Sequence, residues 1–307
     1  MHMYFFIILS AGMLQAKSAR VARFGVSEIH AHLSAMKYSL NGSHVDSDFA
    51  SSGSDGGSQS NFDPWGKSLR SAVIVGLLRS AEKRFAKSLD SLRSICEKFD
   101  PCTMLILEND SNDGTASALR TYAKQSKNIM VLTGEGLDVI SNRRTRRLAA
   151  ARNLLLDFVQ ENYASRDFLI MADLDGMVFE PVNAFMKPLF EKDWDVMTYY
   201  SAAYYDFWAL RCGSRMENCW NRDPPTCSDE FPCIQDLKRG AGRVEVASAF
   251  NGIAVYKIPV IGSCKYNGTN PEPPTHRDED CEHVAFHRCL RSQGAKIHIS
   301  ASRLRIW

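Results

Sequence analysis

Two carboxylates one residue apart close an apolar run in the stretch DFLIMADLDGMVFEP, where Phe168–Ala172 leads into Asp173, Asp175 and Gly176. Like charges placed so close raise each other's energy unless a cation or a proton relieves them. Mg2+ and Mn2+ suit the task, since they take carboxylate oxygens and keep positions open for water or phosphate. Asp173 and Asp175 therefore read as ligands of Mn2+ or Mg2+ facing a diphosphate, against the plainer reading of a solvated acidic turn. The acidic loop ENDSNDGT (108–115) offers a second cluster. Glu108 or Asp110 at a strand end can accept hydrogen bonds from a ribose or a base. Calcium is excluded there, because the twelfth loop position is Arg120 where a bidentate Glu is needed.

These residues need a frame, and the hydrophobic pattern supplies one. AVIVGLL (72–78), TMLILE (103–108), NIMVLTG (128–134) and DFLIMAD (167–173) are short apolar runs that read as buried strands. Between them Phe85, Leu89, Leu92, Cys96 and Phe99 fall at helical spacing, as do TASALRTYAKQ and RRLAAARNLLLDFVQ. Strand–helix alternation predicts an α/β fold with a mostly parallel central sheet flanked by helices. Ligands bind such sheets beyond the carboxyl ends of the strands, which is where both acidic clusters fall.

Other side chains gather round that edge. Arg143, Arg144, Arg146 and Arg147 read as a solvated basic face. Arg152 lies within the apolar arc of Ala151, Leu155 and Val159, so it needs a carboxylate or phosphate partner unless it snorkels at the stripe's edge. The aromatic run YYSAAYYDFW (199–208) suits either sugar stacking or a core. In DEDCEHVAFHRCL (278–290), Asp278, Glu279, Asp280 and Glu282 open a helix; its dipole alone would favour them, and a carboxylate there would also suit an acceptor hydroxyl.

The chain of 307 residues has a formal net charge of +2, too small to argue for nucleic acid as a partner. Met3–Ala16 has the length of a signal-peptide apolar region, with a short uncleaved anchor or a buried N-terminal strand or helix as alternatives. We divide the chain into a signal peptide or anchor (1–20), a stem (21–70, of low complexity at 41–61) and a globular domain (71–307). Nine cysteines lack paired zinc-type spacings and read as disulfides of an oxidising lumen, with Cys212, Cys219, Cys227, Cys233, Cys264, Cys281 and Cys289 as candidates. An odd count leaves at least one thiol without an internal partner. The sequons at Asn41 and Asn267 suit secretory passage, whereas Asn109 lies in the acidic loop and is expected unmodified.

Taken together, ENDSNDGT, LAAARNLLL, MADLDG, EVASAFNGIAVYKIPVI and CEHVAFHRCL…GAKIHISASRLRIW resemble the fungal capsule-associated α-1,3-mannosyltransferases of glycosyltransferase family 69, in collinear order from about Ser71 to Trp307. The resemblance implies a GT-A (nucleotide-diphospho-sugar transferase) fold, GDP-mannose as donor, a glycan acceptor, Mn2+ or Mg2+, and retention of configuration. It also implies a type II Golgi membrane protein, for which the N-terminal segment would be anchor and stem. Residue by residue, it casts Asp173 and Asp175 as the metal-binding D-x-D, Glu108 and Asp110 as the loop near the nucleotide, and Arg152 with Asn153 as the Arg-Asn of the third helix. Glu282 and His283 fall where many GT-A enzymes carry Glu-Asp beside the acceptor. His283 replaces the Asp, which a retaining reaction tolerates if the leaving phosphate takes the acceptor proton. His298 is the nearest downstream candidate for a metal-binding histidine. Two rivals stand beside this reading: a haloacid-dehalogenase-type phosphatase with Asp173 as nucleophile, and a non-catalytic lumenal glycan-binding protein with a degenerate transferase fold.

Overall fold

A computed structural model describes residues 5–8, 22–24, 70–126, 128–134, 136–137, 141–201, 204–213, 231–269 and 278–304. The first part of the chain gives β1 (Phe5–Ile8), β2 (Ala22–Phe24), β3 (Ala72–Leu78), α1 (Phe85–Cys96), β4 (Cys102–Asn109) and α2 (Thr115–Lys124). There follow β5 (Ile129–Gly134), α3 (Arg144–Asn162), β6 (Phe168–Asp173), α4 (Val182–Met186), β7 (Val196–Ser201) and β8 (Arg211–Cys212). The last elements are α5 (Pro232–Lys238), β9 (Arg243–Ser248), β10 (Ile253–Lys257), α6 (Glu282–Ser292) and β11 (Ile297–Leu304). The stem apart from the backbone of β2 and residue 70, the sequon at Asn41, Cys219, Cys227 and the last three residues lie outside the described residues. So does the expected leader or anchor, apart from the backbone of β1.

The strands form one sheet in the order β2-β1-β5-β4-β3-β6-β10-β7-β11-β9-β8. Strands β5, β4, β3 and β6 run parallel, as crossovers through α1, α2 and α3 require. Beyond β6 the sheet turns mixed: β10 is antiparallel to both β6 and β7, and β11 pairs parallel with β7 but antiparallel with β9. The parallel character expected from the sequence thus belongs to the half that ends in the acidic clusters. The whole is a mixed α/β sheet flanked by helices.

Strand β3 shows why its run is apolar throughout. Val73 and Val75 point to the face packed by Leu155, Leu156 and Val159 of α3, whereas Ala72 and Ile74 point to the face packed by Leu89 and Leu92 of α1. Both faces are covered, so alternation with polar residues would bury polar groups.

Three disulfides join described cysteines: Cys96–Cys102, Cys212–Cys233 and Cys264–Cys289. The first was missed in the sequence because Cys96 sits on the apolar stripe of α1 and reads as core. Cys281 is buried and unpaired among the described cysteines. Cys264–Cys289, with a sequence separation of 25, ties the segment after β10 to α6. Replacing both with Ser is expected to lower unfolding stability by about 3 kcal/mol, the loop-closure entropy of a link that size. Urea denaturation under non-reducing conditions checks this, and an unchanged midpoint would argue against the link.

Candidate active site

At the carboxyl end of the parallel strands lies an open cavity of about 430 Å³, and strand order decides what lines it. Asn109 comes from the end of β4, Arg79 and Ser80 from the turn after β3, and Asp173 and Asp175 from the end of β6. Gly176 follows at φ 106°, a conformation that favours glycine and lets the chain turn at once behind the carboxylates. Helix α3 contributes Arg144, Arg147 and Arg152, and α6 contributes Glu282 and His283. Phe250, just before β10, and Tyr205, Asp206 and Trp208, beyond β7, complete the wall.

Arg152 is the hub. Its guanidinium donates to Asp173 Oδ1 at 3.0 Å and forms an ion pair with Glu282, while lying over the rings of Phe250 and Tyr266. The side chain is only 4% exposed, so it is a buried cation held by two carboxylates rather than a snorkelling one. Burial raises the Asp173 pKa to about 6; Asp175 and Asp206 push the same way, while Arg152 and Arg144 oppose them. Burial likewise raises that of Asp206. Burial is the main cause in both cases, since Arg79, Arg144, Arg147 and Arg152 line the cavity beside Asp173, Asp175, Asp206 and Glu282.

Uncommitted carboxylate oxygens are the test of whether a divalent cation suits these residues, and they fit. Arg152 bonds Asp173 Oδ1 and leaves Oδ2 uncommitted, and Asp175 has no hydrogen-bond or ion-pair partner among the described residues. Among those residues there is also no group of three or more His, Cys, Asp or Glu placed to hold a metal. A cation resting on the two aspartates would take the rest of its shell from phosphate and water, as Mg2+ and Mn2+ do.

Several expected site residues stand elsewhere. Glu108 is buried behind the loop and accepts the Ser111 N–H, and Asp110 accepts those of Gly136 and Leu137. Both carboxylates fasten the ends of β4 and β5, and Asn109 reaches the cavity in their place. Asn153 is also directed away from it: its amide donates to Tyr266 O and accepts Tyr266 N–H, clamping that segment to α3. His298 lies on β11 between Met197 and Glu245 and does not line the cavity.

The acidic run before α6 serves the basic face of α3 instead of water. Asp278 meets Arg143 at 2.8 Å and Arg146 at 3.2 Å, Glu279 accepts the Thr145 hydroxyl, and Asp280 meets the buried Arg211 at 2.7 Å. Only Glu282 lies within the helix, so the helix dipole does not account for the other three. His283 stacks on Phe250 with centroids 3.7 Å apart, and its ring nitrogens have no hydrogen-bond partner. Burial, with Arg152 nearby, keeps it neutral well below the usual histidine range.

The cavity residue Asp206 and the buried Asn251 that holds it carried no signal of their own. Asp206 accepts N–H bonds from Ala209 and Asn251, both at 3.3 Å. Asn251 has φ 54°, rare for a residue with a side chain, and its amide holds Tyr199 O, Ser201 Oγ and the Tyr205 N–H. An Asn-Gly pair between two apolar runs was the available clue, since both residues tolerate positive φ.

Residues 72–205 match the family model described as Glycosyl transferase family 2, a span from β3 through both aspartates to Tyr205. The match covers less than half of the chain and supports a glycosyltransferase. No curated protein matches the chain. Among solved structures the chain is similar to a mannosyltransferase from Pyrobaculum calidifontis in complex with GDP-Man and Mn2+, at 15% identity and a TM-score of 0.43, over 90% of this chain and 66% of that one. It is similar also to glucosyl-3-phosphoglycerate synthase from Mycobacterium tuberculosis with Mn2+, UDP and phosphoglyceric acid, at 14% identity and 0.38, over 64% of this chain and 58% of that one. A third is GalNAc-T7 with UDP, GalNAc and Mn2+, at 11% identity and 0.46, over 77% and 43%. The chain thus spans about two thirds of the first of these structures and less of the other two.

Arg152→Ala would leave Asp173 and Glu282 without their shared cation. We expect it to cost about 3–5 kcal/mol, the loss typical of a broken buried pair; urea unfolding tests this, and a change below 1 kcal/mol would refute the hub. A pH effect follows from His287, which is fully buried between Ser248 Oγ and Tyr256 OH and depressed by burial to about pKa 3. Unfolded histidine titrates near 6.5, so the unfolded chain takes up a proton that the native state refuses. Its contribution is full above about pH 6.5 and is lost toward pH 3, by at most about 1.4 kcal/mol per pH unit. Asp173, raised to about 6, works in the opposite sense. The measurement is therefore a difference: between pH 7.5 and 5.5, His287→Gln should lose less stability than the parent chain.

Proposed function

We propose that this chain is a metal-dependent glycosyltransferase that moves a hexose from a nucleotide-diphosphate donor to a glycan acceptor. The observation that carries the reading is the placement of Asp173 and Asp175 beside Arg152 at the end of β6, inside the matched family 2 segment. In this reading Asp173 and Asp175 hold Mn2+ or Mg2+, which when bound neutralises charge growing on the departing diphosphate. Arg79, Arg144 and Arg147 line the same cavity and give the phosphates a cationic wall. Arg152 fixes the carboxylate of Asp173, and Glu282 fixes Arg152. That makes Glu282 a positioning residue, and leaves the neutral His283, stacked on Phe250, as a shape-defining neighbour rather than a base.

The motif set favours the finer reading of mannose from GDP-mannose, in α-1,3 linkage with retention. The acceptor oxygen then bonds to the anomeric carbon as the carbon–phosphate oxygen bond breaks, and the acceptor proton passes to the leaving phosphate. A catalytic carboxylate base is not needed, which suits a site whose Glu282 is already paired. Disulfides in three separate places support passage through an oxidising compartment, consistent with a Golgi lumenal or secreted enzyme. Membrane attachment through the N-terminus belongs to the same proposal; among the described residues no helix is long and apolar enough to cross a membrane.

Thermal unfolding of the full chain with GDP, UDP or no nucleotide, each with Mn2+ or EDTA, tests this. Ligand at a hundredfold its Kd adds about 2.7 kcal/mol to the native state, a rise of several degrees in Tm. We expect a rise with GDP that EDTA removes. Asp175→Asn should retain the Tm of the ligand-free chain, lose the metal-dependent rise and lose transfer almost entirely. A parental shift in that variant would sink the metal assignment, and no shift of the parent with either nucleotide would sink the transferase reading.

A further inference from the structure

The sheet orders the cavity wall from one side to the other. Along β4, β3, β6, β10 and β7 come Asn109, then Arg79, then Asp173 and Asp175, then Phe250, then Tyr205 and Asp206. The D-x-D stands in the middle. On one flank lie a guanidinium and an amide, suited to phosphate and nucleoside; on the other lie a phenol ring and a carboxylate.

Tyr205 is 47% exposed, the one large hydrophobic side chain that the described surface leaves so open. Its neighbours in sequence are pinned to keep it there. Asn251, held in the left-handed region, accepts the Tyr205 N–H at 3.2 Å through its side chain and gives its own N–H to Asp206. The amide bonds to Tyr199 O and Ser201 Oγ offset the cost of that conformation for a residue with a side chain. Asp206 spends one bond per oxygen on backbone N–H groups, at Ala209 and Asn251, and keeps further lone pairs for a ligand. Asp206 sets a carboxylate beside Tyr205 on this flank and disfavours an anion against it. A neutral polyhydroxyl ring suits it instead, with its C–H face on the phenol and its hydroxyls on the carboxylate.

Resting on the transferase reading above, we infer that Tyr205 and Asp206 form the acceptor subsite and that the acceptor presents an uncharged hexopyranose there. Tyr205 packs on the ring and Asp206 orients a hydroxyl; Asn251 is the positioning residue for both.

The test is saturation-transfer NMR on the full chain with GDP and Mg2+, using methyl α-mannopyranoside and methyl α-glucopyranoside as probes. The parent and Tyr205→Phe should transfer saturation to the glycoside ring protons. Tyr205→Ala should transfer roughly fivefold less, the scale of one aromatic contact. The nucleotide-dependent Tm rise should be equal in all three. Unchanged saturation in Tyr205→Ala, loss of its nucleotide response, or no saturation of either probe by the parent would each overturn the subsite. Failure of the transferase reading looks different: the parent would show no nucleotide response, while Tyr205-dependent glycoside saturation without nucleotide would leave the sugar platform standing.

Discussion

A single buried guanidinium organises this molecule. Arg152 on α3 joins the last residue of β6 to the first residue of α6, through Asp173 and Glu282. Removing three charges from water is costly, and the attraction among them offsets that cost only if the three side chains hold fixed positions. Helix α3, strand β6 and helix α6 are therefore not independent elements at this edge. The stacking of Phe250 and Tyr266 around the guanidinium extends the constraint to the turn before β10 and to the segment before α6. The same arrangement leaves the cavity with one aspartate half-committed and another, Asp175, uncommitted. A protein cation sets the geometry of the carboxylates without cancelling their charge, and on our proposal an external cation does the rest.

The basic face of α3 repeats this logic nearer the surface. Arg143 and Arg146 reach Asp278 and Glu279, and Thr145 bonds both Glu279 and Gly268. Each pair alone is partly exposed and contributes little. In series with Arg211–Asp280 and Arg152–Glu282 they form a ladder that aligns the approach to α6 with the length of α3. The ladder brings Glu282 and His283 to the cavity although they lie 130 residues beyond Arg152.

Much of this was legible in the sequence, for identifiable reasons. The run from Phe168 to Ala172 had to be a strand covered on both faces, so carboxylates after it had to fall at an edge. Arg152 fell on an apolar arc, and a buried cation must find an anion. Local pattern failed where partners are set by topology. The acidity of Glu108 and Asp110 suggested ligand contacts, yet Glu108 accepts a backbone N–H of its own loop and Asp110 those of Gly136 and Leu137 beyond β5, a demand that composition does not display. Asn153 beside Arg152 shared its motif but not its direction, because neighbouring helical residues point about 100° apart. The bonds among Asn251, Asp206 and Tyr205 span more than forty residues and exist only because β10 inserts between β6 and β7.

The turn that leads from β9 into β10 also governs how the protein ages. Asn followed by Gly is the dipeptide whose side-chain amide is most readily attacked by the next backbone nitrogen, closing a succinimide that opens to Asp or isoaspartate. At Asn251–Gly252 that reaction is obstructed: the amide nitrogen donates to Tyr199 O and Ser201 Oγ, the amide oxygen receives the Tyr205 N–H, and the residue is fully buried. Deamidation there would place another negative charge beside Asp206 and strip two donors from the bonds that hold the turn. The bonds that present Tyr205 and Asp206 to the cavity are thus also those that keep Asn251 from decaying.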